Sequence, residues 1–226
     1  MRFLLALVLV TTLPAVMIDS IAVSVGTEAI TESQIDQDIR LAAFTNGSQP
    51  DFSIESRRKA ADQLIQQALI RREMSFGAYP PVPPGEIDAA FASMEKSRGG
   101  DGALDVLLKQ YRLTVKELRD YIAWQLQLLN FIDLRFRPAV QVTEEDVEKY
   151  YRENLAATHP GAVAAKAPPL TDVRDQIQQK LTGERVDQQL DQWIARSRSR
   201  AIIRYIDRSL GTGANVEAHL DTGQPH

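Results

Sequence analysis

The sequence predicts a mainly α protein, a multi-helix body completed by a small β-sheet that joins the two ends of the chain. Three observations predict it. Apolar residues recur at helical spacing through most of residues 31–200, interrupted by connectors rich in Pro and Gly. Thr31, Thr114 and Thr143 are each followed three positions later by Gln34, Glu117 or Asp146, the pattern by which a side chain and a backbone N–H cap one another at a helix start. The period then drops to two near each end, in IAVSV (21–25) and AIIRYID (201–207). An isolated strand leaves its backbone groups unpaired, so each of these needs the other as a partner.

In order, residues 1–15 stand apart. Arg2 is a minimal positive start, residues 3–10 are continuously apolar, and Thr11, Thr12, Pro14 and Ala15 break the run. This reads as a secretory signal peptide cut after Ala15, and so as export to the periplasm. The alternative is an uncleaved anchor, although the run is far short of the roughly 20 residues that span a bilayer. Ile21, Val23 and Val25 form a half-buried strand, Gly26-Thr27 a tight turn, and residues 28–30 a returning strand. Helices are expected over 31–45, with Ile35 and Ile39 inward, and over 53–74, with Ala61, Leu64, Ile65, Ala68 and Leu69 inward. The four prolines of GAYPPVPPG (77–85) make a stiff connector. Shorter helices follow over 86–96 and 103–111, separated by the glycine-rich break SRGGDG.

The strongest helix pattern opens at Thr114 and ends near Arg137, where Pro138 stops it. It carries one stripe of Val115, Leu118, Ile122, Leu126, Leu129 and Ile132 and a second of Tyr121, Trp124, Leu128 and Phe131. Two apolar stripes predict a spine packed on several sides. A short helix starts at Thr143. Residues 155–169 (LAATHPGAVAAKAPP) lack apolar periodicity and have the composition of a linker, and residues 208–226 that of a disordered tail. Between them, residues 171–200 form a long helix with Thr171 as N-cap and arginines at its far end, where they suit the helix dipole. Val173, Ile177 and Leu181 lie on one side of it, and Val186, Leu190 and Trp193 on the other, with Gly183 between. Either the helix kinks at Gly183, or it runs straight and its halves pack on different bodies.

The chain resembles the core of the SurA-like periplasmic chaperones. The likeness is carried by IDSIAVSVGTEAITESQIDQDI (18–39), VTEEDVEKYYREN (142–154) and PLTDVRDQIQQKLTGERVDQQLDQWIARSRSRAIIRYID (169–207), in that order. In that family the second stretch leads into parvulin-type prolyl isomerase domains and the third follows them. Here residues 155–169 stand in that place. The resemblance therefore implies a SurA-like core without its isomerase modules. Residues 16–154 would form the N-terminal helical domain with its hairpin, and residues 170–207 the helix and strand that complete it.

The residues give little support to catalysis. There is no cysteine, and His159, His219 and His226 fall in the linker and the tail, so thiol nucleophiles and thiolate metal sites are excluded. Glu144-Glu145 suits a helix first turn, and Gly99-Gly100-Asp101-Gly102 lacks the Lys-Ser/Thr of a phosphate loop. A net charge of −4 gives no general attraction to nucleic acid, and the arginines of 196–208 read as helix-end and strand-edge charge. The expectation is a protein with no enzymatic activity, cofactor or metal. The resemblance implies an ATP-independent holdase for unfolded polypeptides such as outer-membrane precursors. The alternative from another class is an envelope scaffold that binds one folded partner, and a prolyl isomerase remains only as a family label. Candidate client-binding residues are apolar groups beside the connectors: Phe44, Phe52, Tyr79, Phe91, Met94 and Tyr111. Each also suits an ordinary core, and Trp124, Phe131 and Trp193 suit one better still.

Overall fold

The computed structural model describes residues 19–100, 102–156 and 168–211. The proposed signal peptide, most of the 155–169 segment and the tail beyond Gly211 lie outside them.

Three strands and seven helices occupy the described residues. β1 (Ile21–Val25) and β2 (Glu28–Thr31) form the hairpin, and β3 (Ile203–Tyr205) adds to the other side of β1, giving the order β2-β1-β3. Both pairings are antiparallel, with Val23 opposite Ile30 on one side and Tyr205 on the other. The turn rests on Gly26, at φ +61°, a conformation that side-chain-bearing residues rarely take. The same residue's N–H donates to the Ile202 carbonyl at 2.8 Å, and those of Ile206 and Asp207 donate to the Ala22 carbonyl at 2.9 and 3.0 Å. The expected joining of the chain ends is thus present, although the regular ladder of β3 is shorter than 201–207.

The helices are α1 (Glu32–Asn46), α2 (Ile54–Phe76), α3 (Pro84–Ser97), α4 (Ala103–Gln110), α5 (Val115–Arg135), α6 (Glu144–Tyr150) and α7 (Leu170–Arg200). Thr31, Thr114 and Thr143 form the three reciprocal capping boxes. Thr171 is not a cap: α7 begins one residue earlier, after Pro169, whose fixed φ already suits a helix entry. The helix runs unbroken through Gly183, and its two halves pack on different neighbours. Its first half lies on α6, with Ile177 and Val147 buried, Arg174 paired with Glu144 and Arg185 with Asp146. Its second half joins Val186, Leu190 and Trp193 to Ile70, Phe131 and Phe136.

Three apolar clusters result. The first packs the sheet and Leu210 on α1 and α2, around Ile35, Ile39, Ile65 and Leu69. Here the sequence reading needs correction, because 208–211 is not part of a disordered tail. Arg208–Leu210 is a 3-10 turn capped by Asp207, and Leu210 is buried because its side chain fills the floor under the sheet. The second cluster gathers Leu41 and Phe44 with Leu104, Leu108, Leu118 and Ile122, and the third surrounds Phe131. The spine reading of α5 is half right. Leu118, Ile122 and Phe131 are buried, but Leu129 and Leu134 are 58% and 54% exposed, since no element among the described residues covers that side. The Pro-rich connector is pinned to α5 by Gln127, which accepts from Val82 N–H and donates to the Pro80 carbonyl, both at 3.1 Å.

Candidate functional site

α5 meets the α1–α2 pair at two places. Near its start, Leu118 and Ile122 pack with Leu41 and Phe44; near its end, Phe131 packs with Ile70. Between these contacts the helices stand apart, and a groove opens.

Two of its cavities, of about 230 and 310 Å³, share Asp38, Gln67, Tyr121 and Trp124. A third, of about 330 Å³, continues past Asp38, Ala42 and Gln63 towards the loop after α1. Each wall is one face of a helix. α1 gives Gln34, Gln37, Asp38 and Leu41; α2 gives Gln63, Gln67, Ile70 and Arg71; α5 gives Glu117, Tyr121, Trp124 and Leu128. The three- and four-residue spacings within each set place its members side by side along one helix. The groove is therefore rich in glutamine on the α1–α2 side, while α5 supplies aromatic and aliphatic surface from Tyr121, Trp124 and Leu128 flanked by the polar Glu117, Asp120 and Gln125.

Trp124 is held in place. The Arg71 guanidinium lies 4.8 Å from the centre of its ring and also pairs with Glu28 at 3.5 Å. Asp38, half-buried, lies where all three cavities meet. Burial pushes its carboxyl up to about 6, and no neighbouring charge or hydrogen bond offsets that shift. The groove can thus offer amide donors and acceptors, aromatic and aliphatic surface, and, beside the carboxylates of Glu117, Asp120 and Asp51 that are engaged with their own neighbours, one half-buried carboxylate, Asp38, with no partner among the described residues. Among the described residues no group of three or more His, Cys, Asp or Glu is arranged to hold a metal, and no helix is long and apolar enough to cross a membrane.

The residues singled out from the sequence lie elsewhere. Phe44 is fully buried, edge-on to Tyr111 at 5.7 Å and beneath Arg98, and its side chain offers no surface. Tyr111 is partly buried beside it and donates its hydroxyl to the Ser48 carbonyl at 2.9 Å. Phe91 and Met94 pack on the same cluster, with Arg119 4.6 Å over the Phe91 ring. Tyr79 packs against Phe131 at 5.1 Å. Phe52 is 43% exposed, with Arg40 above it at 5.4 Å. None of the six lines the groove. Trp124, expected in the core, is only partly buried and forms a wall. The overlooked sequence feature was the set of glutamines at helical spacing on α1 and α2, between the residues of the apolar stripe.

The fold is similar to that of a solved chain from the SurA-like chaperones of Campylobacter jejuni, a pair made up of the virulence factor PEB4 and the periplasmic protein Cj1289. The TM-score is 0.54, and the match covers 84% of this chain and 100% of that one at 15% identity. No family model and no curated protein matches the sequence. At this identity the likeness is one of fold: a mainly α, SurA-like core with a small sheet.

Proposed function

We propose that this protein is an ATP-independent periplasmic chaperone, a holdase for unfolded polypeptides, with outer-membrane precursors among its clients. The groove between α1, α2 and α5 carries the reading. Unfolded chains have in common their exposed backbone amides and intermittent apolar side chains. Glutamine side chains both donate and accept, so they can pair with backbone in either direction and any register. Tyr121, Trp124 and Leu128 offer apolar surface across from them. Such a site suits many sequences rather than one. The SurA-like fold and the signal-peptide pattern of residues 1–15 support the same conclusion.

On this reading the chain performs no catalytic step, and residues 155–169 replace the isomerase domains of the family. The geometry around that segment is compatible: the Tyr151 hydroxyl donates to the Pro168 carbonyl at 2.9 Å, so the chain leaves and re-enters the body at one point. A peptide isomerisation assay is expected to give no rate above background.

The direct test is light scattering from a denatured outer-membrane protein on dilution. Addition of this protein is expected to suppress aggregation without nucleotide. Unchanged scattering at several-fold molar excess would overturn the proposal. A scaffold role is favoured by one observation, the 81% exposure of Phe76 at the end of α2, beside a cavity lined by Trp193. A single stoichiometric folded partner, lost in Phe76→Ser, together with no affinity for unfolded chains, would favour that role instead.

A further inference from the structure

We propose that the groove takes an extended polypeptide segment bearing a lysine or arginine side chain, and that Asp38 is the counter-charge that selects it. The proposal rests on the reading of the groove as the client site and adds the chemistry of the segment it prefers.

Asp38 borders all three cavities, so a chain running the length of the groove must pass it.

The charged neighbours of Asp38 are already engaged. On α2, Arg71 is paired with Glu28 and lies over Trp124. On α1, Asp36 binds Arg57 and Arg40. On α5, Glu117 caps Thr114 and Asp120 binds Lys116 at 2.6 Å. In the loop, Asp51 accepts from Ser53 and Ser56. Lys59 lines only the outermost cavity and is exposed. Among the described residues, no hydrogen bond or ion pair reaches the Asp38 side chain, and burial is the single cause of its shift. A half-buried carboxylate without a partner is unfavourable for the fold, whereas the same group is favourable to a ligand that supplies the missing cation.

Trp124 and Leu128 face Asp38 across the groove. The methylene stem of a lysine or arginine lies well along such surface while its head reaches a carboxylate. Gln63 and Gln67 stand on the neighbouring wall, able to hold the segment's backbone. Because the Asp38 carboxyl titrates near 6, the selected segment is held above that pH and released below it.

The test uses the full protein and three fluorescent peptides, identical Leu/Tyr-rich segments with a central Lys, Gln or Glu, measured by anisotropy at pH 7.5. The Lys peptide is expected to bind about tenfold more tightly than the Gln peptide, and the Glu peptide more weakly than either. In Asp38→Asn the Lys preference over the Gln peptide is expected to shrink to about twofold or less. At pH 5 the wild type should behave like that variant. Equal binding of Lys and Gln peptides to the wild type, or a preference that survives in Asp38→Asn, overturns the proposal. If all three bind equally and Trp124→Ala abolishes that binding, the groove remains the client site and only the charge selection falls. If no peptide binds, both fall.

Discussion

α1 and α2 each present two faces to two different neighbours. Towards the sheet, Ile35, Ile39, Ala61, Ile65 and Leu69 meet Val23, Val25, Ile30 and Leu210, and the result is a closed apolar core. Towards α5, Gln34, Asp38, Gln63 and Gln67 meet Tyr121, Trp124 and Leu128 across open space. The same two helices thus supply a closed apolar core on one side and, on the other, a half-buried carboxylate with no partner among the described residues. The sheet face gains stability from every residue it buries. The groove face keeps a half-buried carboxylate that a neutral residue would replace at lower cost to folding.

The comparison can be broken most severely at the sheet. Removal of 201–226 takes away β3 and Leu210 and leaves the inner edge of β1 unpaired. The expected loss is about 5 kcal/mol or more, with thermal unfolding of the whole body and not only of the tail. An unchanged melting curve would mean that the closing strand is an accessory.

The next contrast lies within α5. Phe131 is fully buried among Tyr79, Phe136 and Trp193, so Phe131→Ala should cost about 3–5 kcal/mol in urea unfolding. Trp124→Ala, at the groove wall, should cost less than half of that while weakening peptide binding. Equal stability losses would make Trp124 a core residue and remove it from the site.

Asp38→Asn sharpens the comparison with the opposite sign. The folded-state carboxyl sits near 6, above the ordinary 3.8, so the folded protein binds more protons than the unfolded chain between those values. Wild-type stability from this group therefore rises as the pH falls from 6 to 4. The variant should be more stable than wild type by on the order of 2–3 kcal/mol at pH 7, with the gap closing near pH 4. Urea titrations at pH 7, 5 and 4 measure it, and a constant gap would rule out the carboxyl as its source.

The smallest effect is expected at the α6–α7 contact. The Arg185 hydrogen bond, with help from the Thr143 backbone and hydroxyl, holds the Asp146 carboxyl down at about 2. That contribution is present above the ordinary carboxylate range and is lost as the pH drops towards 2. The group is exposed to solvent, so Arg185→Ala should lower the melting temperature by at most about 2 °C at pH 7. A larger fall would show that α6 stabilises the whole body.

Much of the fold was legible in the sequence because its determinants are local. Thr31, Thr114 and Thr143 each find their capping partner three residues away, so no distant contact is needed to read them. The pairing of β1 with β3 was legible for a different reason: two strands at opposite ends had no other edge to satisfy them. Phe44 shows the limit. Its place beside a loop suggested a client surface, but the loop turns back, and Tyr111 and Arg98 cover the ring. Leu210 shows the converse, an apolar residue at the start of a mostly polar tail that finds a space under the sheet.

By itself the sequence determined where the helices begin, which of their faces are apolar, and that the chain must close end to end. These follow from capping chemistry, periodicity and the need of every backbone group for a partner. Only the tertiary structure decided that α5 would touch the α1–α2 pair at two points and stand clear between them. That spacing is set by side chains far apart in the chain, Leu118 against Leu41 and Phe131 against Ile70. It turns Gln63, Gln67 and Asp38, which periodicity alone assigns to solvent, into the lining of a groove.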